Sequence, residues 1–462
     1  MKRIAIRSMA VWVLIFSLLG GMGFFLVEYT VKKDQWLGSQ GGTQVNQSVQ
    51  SMQSIQVNEI HTGKVMDRDG VLLLNIVGEK KTYVGSEDLC ASLIHWLGDR
   101  QGNISAQVLA NYAAKIAGYD EQTDLYADSG GRATLTISAQ LQLAAQEAMG
   151  DNKGTIALMN YKTGEILCAV STPNYNPDDP PNLAADTSGK YEAVYMNRFT
   201  QSKYVPGSIF KIVTTAAALE EIDDIWEQTF TCTGEVDYGT YDVTCEKVHG
   251  ELDFDSALAQ SCNCAFSQIV EQLGKEKLQQ YVDKYNVIES VSFDGITTVA
   301  GKFDLADTSR LDVVWSGIGQ HRDQVNPCRY LTFISAIANG GLEVQPYVMQ
   351  KITCEDRKTY QATTQYGERI MSEAVATELQ NMLRNNVIEK YGLDKFPDLK
   401  VCGKSGTAQS GGDKKSNAMF TGFVMDEEYP IAFFVAVEGG GYGSQTCIPI
   451  LSQVLEACMD VL

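Results

Sequence analysis

Ser208 and Lys211 are the residues whose types and spacing first suggest chemistry. They lie in the stretch VPGSIFK at positions 205–211, where a proline and a glycine interrupt the preceding segment and a largely apolar run follows. This pattern predicts a helix from about 207 to 222, with Ser208 at its N-terminus and Lys211 one turn further on. Because residues three apart share a helix face, the Lys211 amine can reach the Ser208 hydroxyl. An unprotonated Lys211 would then be the base that activates Ser208 as a nucleophile.

This interpretation places a demand on Lys211. A free lysine titrates near ~10.4, so a lysine base near neutral pH needs a pKa lowered by roughly three units, or about 4 kcal/mol of burial and neighbouring charge. The alternative is that Ser208 is an ordinary helix cap and Lys211 a solvated side chain. A Ser-x-x-Lys match is too common to decide between them.

Two further polar segments lie beside predicted regular structure. Ser261-Cys262-Asn263 separates the helix-like runs 254–260 and 265–273, which predicts a tight polar turn. Lys404-Ser405-Gly406-Thr407 follows a short apolar pair and precedes two strand-like runs at 419–425 and 431–438. The second segment is therefore predicted to lie on a strand of a sheet.

The ordered set of Ser-x-x-Lys, Ser-x-Asn and Lys-Ser-Gly resembles the signature of penicillin-binding proteins and serine β-lactamases. The resemblance runs from about residue 63 to the C-terminus and is to class B penicillin-binding proteins in particular. Further segments carry it: Gly63–Gly70, Leu135–Ile137 with Leu141-Gln142, Lys162–Leu167, Asn197-Arg198, Gly317–Gln320, Ala338–Gly341 and Phe420–Phe423.

The resemblance implies a peptidoglycan D,D-transpeptidase that cross-links stem peptides ending in D-Ala-D-Ala and is acylated by β-lactams. Ser208 would be the acylated nucleophile and Lys211 its base. Ser261 would pass a proton to the departing amine. Asn263 would hold the substrate amide and orient Lys211.

The resemblance also implies a carboxylate-binding strand. Lys404 would supply positive potential, and the hydroxyls of Ser405 and Thr407 would bind the terminal carboxylate of the substrate or the β-lactam. Gly406 would leave room for an extended substrate along the strand. The backbone N–H groups of Ser208 and Thr407 would form the oxyanion hole.

The pattern of elements and the resemblance together predict an α+β fold, an antiparallel sheet flanked by helices. Predicted helices cover 139–149, 207–222, 254–260, 265–285, 328–338, 372–391 and 448–461, and a hairpin covers 154–160 and 165–171. Residues 131–462 would form the transpeptidase domain after a polar boundary. Before it we expect a reduced pedestal domain at 59–130, a linker at 35–58, and a cytoplasmic stub with a transmembrane anchor at 1–34.

The anchor prediction depends on an uncharged apolar run from Ser8 to Val27. About twenty such residues suffice to span a bilayer, and three basic residues before the run place the N-terminus in the cytoplasm and the catalytic part outside it. Lys32 and Lys33 weaken that asymmetry. A cleaved signal peptide is the alternative, but no small-x-small site follows the run closely, which favours a retained single-pass anchor in the cell membrane. Four apolar residues of the linker, Val45, Val49, Met52 and Ile55, have the spacing of one helix face. A short amphipathic helix is therefore an alternative interpretation of this segment.

Composition restricts the partners. The chain has 462 residues, 44% of them hydrophobic, and a formal charge of -20. That acidity disfavours nucleic acid as a ligand, so an anionic substrate must meet local cations. The pedestal is too small for a glycosyltransferase domain. The resemblance therefore implies a separate partner, a SEDS-type membrane glycan polymerase, together with other division or elongation proteins.

The cysteines and histidines suggest no cofactor. The eleven cysteines are odd in number and form no framework. Cys232 and Cys245 are the most plausible disulfide pair, and buried thiols account for most of the others. A catalytic thiol at Cys262 or Cys264 is disfavoured because neither has an obvious base. The histidines at 61, 95, 249 and 321 look too scattered for a metal site.

Two alternatives to transpeptidation stay open. A D,D-carboxypeptidase shares the motifs but uses water as the acceptor. A non-catalytic division scaffold or β-lactam sensor that binds partners is the other alternative. Intact Ser208, Lys211, Ser261 and Lys404 count against a dead scaffold, which would have no need of them. A soluble β-lactamase is disfavoured by the apolar N-terminal run and the chain length.

Overall fold

Two β-sheets organise the computed structural model, which describes residues 62–78, 80–120, 125–239, 242–355, 357–408 and 415–462. These residues belong to one compact unit. The predicted anchor and linker, at 1–58, lie outside the described residues. Within the described ranges no helix combines the length and the apolar character that crossing a membrane requires.

The strands belong to these two sheets and to several two-stranded ribbons. In chain order they are β1 (Thr62–Met66), β2 (Leu72–Val77), β3 (Lys80–Tyr83), β4 (Tyr119–Asp120), β5 (Leu125–Tyr126), β6 (Gly131–Leu135), β7 (Gly154–Asn160), β8 (Ile166–Thr172), β9 (Phe230–Cys232), β10 (Glu235–Asp237), β11 (Asp242–Thr244), β12 (Gly250–Leu252), β13 (Ser292–Phe293), β14 (Ile296–Thr297), β15 (Leu342–Val344), β16 (Met349–Cys354), β17 (Arg357–Gln361), β18 (Tyr366–Arg369), β19 (Val401–Ala408), β20 (Asn417–Val424) and β21 (Ile431–Val437).

The helices lie between and around these strands. In chain order they are α1 (Glu87–Ser92), α2 (Ile94–Leu97), α3 (Gln107–Asn111), α4 (Ala113–Ile116), α5 (Ala139–Met149), α6 (Arg198–Gln201), α7 (Lys211–Glu221), α8 (Phe254–Ala259), α9 (Asn263–Lys284), α10 (Arg310–Ile318), α11 (Pro327–Ala338), α12 (Glu373–Asn386) and α13 (Gly443–Val461). Shorter turns are 3-10 helices at Leu183–Ala185, Gly207–Phe210 and Leu393–Lys395 and a π-helix at Val387–Tyr391.

The central sheet has the strand order β19-β20-β21-β7-β8, and every neighbouring pair is antiparallel. All residues of β8 and β21 are buried, so both faces of the sheet are covered. Successive strand residues point to opposite faces. Phe433 packs in the core cluster that includes α5 and α13, whereas the ring of Phe434 contacts Tyr330 of α11. Helices therefore flank both faces, and the predicted antiparallel sheet with flanking helices is confirmed.

The second sheet has the order β17-β16-β6-β1-β2-β3, in which only β1 and β6 are parallel among its described neighbours. It joins strands before the predicted boundary at 130/131 to strands after it. Strand β1 of the predicted pedestal therefore shares hydrogen bonds with β6, and β6 in turn pairs with β16.

Most predicted helices form close to their expected bounds. Helix α5 has the bounds predicted for it. The predicted helix 265–285 is α9, but its course is interrupted at Gly274, which has a φ of 72°. The predicted helix 372–391 is α-helical only to Asn386 and then continues as the π-helix. The closing helix begins at Gly443, five residues earlier than the apolar pattern suggested.

Candidate active site

Ser208 lies in the 3-10 turn Gly207–Phe210, directly before α7. The Tyr330 hydroxyl stabilises the turn by donating a hydrogen bond to the Ile209 carbonyl oxygen at 2.8 Å. Gly207 has a φ of 56°, and its N–H donates to the Gly319 carbonyl oxygen at 2.8 Å. A Cβ at Gly207 would lie 2.6 Å from the Thr407 oxygen. The serine turn therefore packs directly against β19.

Lys211 is fully buried beneath the serine, and four oxygen atoms surround its amine. Nζ lies 2.7 Å from the Ser261 carbonyl oxygen and 2.7 Å from Asn263 Oδ1. These two atoms accept hydrogen bonds but cannot donate them, so they engage the two N–H groups of a neutral amine. Nζ also lies 3.3 Å from Ser208 Oγ and 3.2 Å from Ser261 Oγ. The remaining lone pair is therefore available to a hydroxyl proton.

The protonation of Lys211 follows from its surroundings. Burial lowers the pKa of the amine to about 8, while nearby cysteine thiols oppose the shift when they are ionised. The aromatic ring of Phe266 lies 5.3 Å from Nζ and adds to the apolar wall. A substantial fraction of the amine is then neutral at physiological pH, as a base role requires.

The predicted polar turn forms between α8 and α9. Ser261 adopts a φ of 56°, and its N–H donates to the Leu258 carbonyl oxygen. Asn263 begins α9, and its Nδ2 donates to the Thr244 carbonyl oxygen at 2.9 Å. This bond orients the amide so that Oδ1 faces Lys211.

Lys404 lies on β19, where it pairs with Thr421 of β20. Its side chain is fully buried, and Nζ donates to the Ser405 carbonyl oxygen at 3.1 Å. Burial lowers the pKa of Lys404 well below its usual value, and the charges of Lys211 and Lys390 lower it further. An anion bound beside Lys404 would oppose this shift and favour the charged form of the amine.

The two hydroxyl residues of β19 are only half-buried. The Tyr391 hydroxyl donates to Ser405 Oγ at 3.0 Å and accepts the Ser405 N–H at 2.8 Å. Thr407 is held through its carbonyl oxygen, which accepts from Gln320 Nε2 at 2.7 Å. Both hydroxyl residues are thus fixed by groups outside the strand.

The structure corrects the reason for glycine at position 406. A Cβ there would lie 2.9 Å from the Pro206 oxygen and 3.0 Å from Ile209 Cγ2. The space belongs to the Ser208 turn and not to a substrate. Glycine is needed because only a strand without a side chain at this point can approach the turn so closely.

Two interpretations of the cysteines and histidines are also corrected. Cys232 and Cys245 form no disulfide, and both thiols are free. Each sulfur lies 3.4 Å from His249 Nδ1, so His249 is not isolated as its place in the sequence suggested. The physical reason is that β9 pairs with β12, which brings residues 232 and 250 into register.

Some residues that organise the site carry no sequence signal that identifies their role. Tyr391, Thr244 and Tyr330 act through hydrogen bonds between distant segments. Gln320 lies in a segment that resembles the family, but its contact with Thr407 follows only from the fold.

A serine beside a buried lysine, completed by a Ser-x-Asn turn at the edge of an antiparallel sheet, defines a serine acyl-transfer site with a lysine base. The family model described as penicillin binding protein transpeptidase domain matches residues 154–456. The chain therefore belongs to this family, and the resemblance to class B penicillin-binding proteins is confirmed.

Named relatives agree with this assignment. The chain is 27% identical over 341 residues to peptidoglycan D,D-transpeptidase PbpA of Mycolicibacterium smegmatis, covering 68% of each protein. It is 28% identical over 351 residues to stage V sporulation protein D of Bacillus subtilis, covering 71% of this chain and 53% of that protein. The ceftriaxone acyl-enzyme of penicillin-binding protein A from M. tuberculosis superposes with a TM-score of 0.75 at 22% identity, over 87% of this chain and 99% of that one. This structural likeness supports the fold.

Proposed function

We propose that this chain is a peptidoglycan D,D-transpeptidase that works through an acyl-enzyme on Ser208. The observation that carries the proposal is the position of Lys211 Nζ, which lies 3.3 Å from Ser208 Oγ and 2.7 Å from each of two oxygens that can only accept, the Ser261 carbonyl oxygen and Asn263 Oδ1. Membership of the family and the names of the relatives support it.

Acylation begins with the neutral Lys211 amine. It takes the hydroxyl proton as Ser208 Oγ attacks the carbonyl carbon of the penultimate D-Ala. The peptide bond to the terminal D-Ala then breaks, and Ser261 relays a proton to the departing amine. The products are an ester on Ser208 and free D-Ala.

The β19 edge would hold the substrate during this step. A terminal carboxylate between Ser405 and Thr407 would favour the charged form of Lys404, whose pKa is lowered when no anion is near. The N–H groups of Ser208 and Thr407 would stabilise the oxyanion, a contribution of about 3 kcal/mol per donor in related chemistry. The contact of the Ser208 turn with β19 supports this placement.

The acceptor completes the reaction. An amine from a neighbouring stem peptide attacks the ester carbonyl, an amide forms, and Ser208 regains its proton. Water in place of that amine would give carboxypeptidation with the same residues.

Labelled penicillin tests the acyl-enzyme directly. We expect the purified full chain to retain one covalent label, Ser208→Ala to take up none, and Ser256→Ala to label like the unaltered protein. Ser256 lies on α8 outside the site and serves as the matched serine control. Absence of Ser208-dependent label would refute the catalytic assignment and leave a non-catalytic scaffold.

Stem pentapeptide then distinguishes the acceptor. We expect cross-linked product that depends on added acceptor amine and on Ser208. Hydrolysis alone, with no product in the presence of acceptor, would assign a D,D-carboxypeptidase. Rapid turnover of the penicillin label would instead indicate a β-lactamase.

We also propose that the apolar run from Ser8 to Val27 anchors the enzyme in the cell membrane, with the catalytic part outside the cytoplasm, and that a separate SEDS-type polymerase supplies the glycan strands. The uncharged length of the run supports the anchor. Without protease, the protein should remain with the membrane fraction. Protease added outside spheroplasts should degrade its catalytic part. Release of intact protein after signal cleavage would contradict the anchor.

A further inference from the structure

We propose that Cys232, Cys245, His249 and Cys262 bind a zinc ion beside the catalytic turn. None of the four has a part in the proposed transpeptidation. Cys232 ends β9, Cys245 follows β11, His249 precedes β12, and Cys262 is the middle residue of the Ser-x-Asn turn. We name this group the thiolate cluster.

The ligand atoms have the spacing of a tetrahedral site. All four lie within 4.8 Å of one another. The two sulfur-to-His249 Nδ1 distances are 3.4 Å, and the Sγ atoms of Cys245 and Cys262 are 3.8 Å apart. Zinc bonds of about 2.3 Å to sulfur and about 2.0 Å to nitrogen give tetrahedral edges of about 3.8 Å and about 3.5 Å. Three of the six edges match these values, and the other three are no longer than 4.8 Å.

The chemistry of the cluster selects the metal. Three thiolates and one imidazole are the soft and intermediate ligands that zinc prefers, and Cys3His is a recognised set for structural sites. Binding releases three thiol protons to solvent and leaves a neutral imidazole that coordinates through Nδ1. With four protein ligands there is no open position, so the ion would be structural and would not activate water.

The surroundings suit metal-bound sulfur. The Asn263 N–H points at Cys245 Sγ at 3.3 Å, and the Ala265 N–H points at Cys262 Sγ at 3.4 Å. Hydrogen bonds of this kind orient and stabilise thiolate ligands. Cys232 and Cys262 are fully buried, whereas Cys245 and His249 are partly exposed and leave a route for the ion.

Zinc here would brace the catalytic turn. Cys262 lies between Ser261 and Asn263, both of which contact Lys211. Thr244, which precedes Cys245, also contacts Asn263, because its carbonyl oxygen accepts a hydrogen bond from Asn263 Nδ2. The ion would therefore link the segment from β9 to β12 to the Ser-x-Asn turn. Loss of the ion would make the groups that orient Lys211 less rigid.

A disulfide is the competing use of these thiols. A disulfide requires sulfur atoms about 2.05 Å apart, whereas Cys245 and Cys262 are separated by 3.8 Å. An S–S bond would use two of the three thiols and leave the third thiol and His249 outside it, whereas one zinc ion would engage all four ligands.

Metal content of the full chain tests the proposal. Protein purified under reducing conditions should carry about one zinc per chain by mass spectrometry of the metal. Replacement of zinc by Co²⁺ should produce thiolate-to-cobalt charge-transfer absorption in the near ultraviolet. Cys245→Ala and His249→Ala should lower bound zinc at least about tenfold. The control Cys458→Ala, a buried thiol in α13, should retain it.

Three results would overturn the proposal: unaltered protein with neither zinc nor the cobalt band after reconstitution, zinc content that the cluster variants leave unchanged, or a native disulfide within the cluster. If a variant fails to fold, the cobalt spectrum of the unaltered chain still decides. The metal readout is independent of Ser208 labelling, so failure of this proposal and failure of the proposed function are distinguishable.

Discussion

Lys211 Nζ lies 2.7 Å from Asn263 Oδ1, and the hydrogen bond from Asn263 Nδ2 to the Thr244 carbonyl oxygen fixes that oxygen toward the lysine. Asn263 therefore takes up one N–H of the base without adding a charge. Together with the Ser261 carbonyl oxygen, it directs the remaining position of the amine toward the hydroxyls. The arrangement therefore orients the amine, whereas its burial is what favours the neutral form of Lys211.

The pH dependence of acylation follows from this burial. The pKa of Lys211 is lowered to about 8, and the neutral fraction grows as the pH rises through that value. We expect the second-order rate of Ser208 acylation by penicillin to rise about tenfold between about pH 7 and about pH 9 and then level off. Stopped-flow labelling measures the profile, and circular dichroism at each pH controls for unfolding. A flat profile would contradict a lysine base.

Gly406→Ala should separate β19 from the serine turn. The added Cβ meets the Pro206 carbonyl oxygen at 2.9 Å, and backbone cannot yield as a flexible side chain can. We expect a loss of about 1–3 kcal/mol in the free energy of unfolding. The acylation rate should fall about a hundredfold because β19, which would bind the substrate, is displaced from Ser208.

Gly189→Ala is the control for that variant. Gly189 has a positive φ, 73°, which Gly406 does not have, and a Cβ at Gly189 meets no atom within 4 Å. It should cost stability through strain while the acylation rate is preserved. Equal rate losses in both variants would argue against a specific role for the Gly406 contact.

Tyr391→Phe should weaken the carboxylate-binding strand. The Tyr391 hydroxyl accepts the Ser405 N–H and donates to Ser405 Oγ, so phenylalanine leaves both groups without that partner. We expect a loss of about 1–3 kcal/mol in stability and a several-fold rise in the KM for stem peptide, with a smaller change in kcat. Steady-state kinetics measures the split. A change confined to kcat would show that Tyr391 acts on the chemical step.

A buried ion pair between α11 and β15 offers a stability test. Arg329 Nη1 lies 2.8 Å from Glu343 Oε1, and the side chains are 5% and 7% exposed. Arg329→Ala should cost about 3–5 kcal/mol in unfolding because Glu343 is left as an unpaired buried charge. Arg310→Ala, which breaks an exposed pair with Glu271, should cost less than about 1 kcal/mol. Chemical denaturation of both variants measures the difference, and similar losses would contradict this account.

Local elements were predictable because their signals lie close together in the chain. Apolar periodicity located α5, α8 and α11, and alternating or continuous apolar runs located β7, β20 and β21. The break in α9 at Gly274 and the π-helix after Asn386 were missed, since a helical pattern continues through both. The reason for Gly406 was misread because the atoms that exclude a side chain there belong to a turn about two hundred residues earlier.

By itself the sequence placed Ser208 and Lys211 three residues apart at a predicted helix start, a spacing that allows the two side chains to meet. It also determined, through three ordered motifs, the family to which the chain belongs. Only the tertiary structure decided that Lys211 is buried, that Asn263 and Thr244 hold its amine, and that Tyr391 supports Ser405. The fold likewise decided the thiolate cluster, whose three cysteines and one histidine are spread over thirty-one positions of the chain. They meet only because β9 pairs with β12 and the segment between these strands packs against the Ser-x-Asn turn.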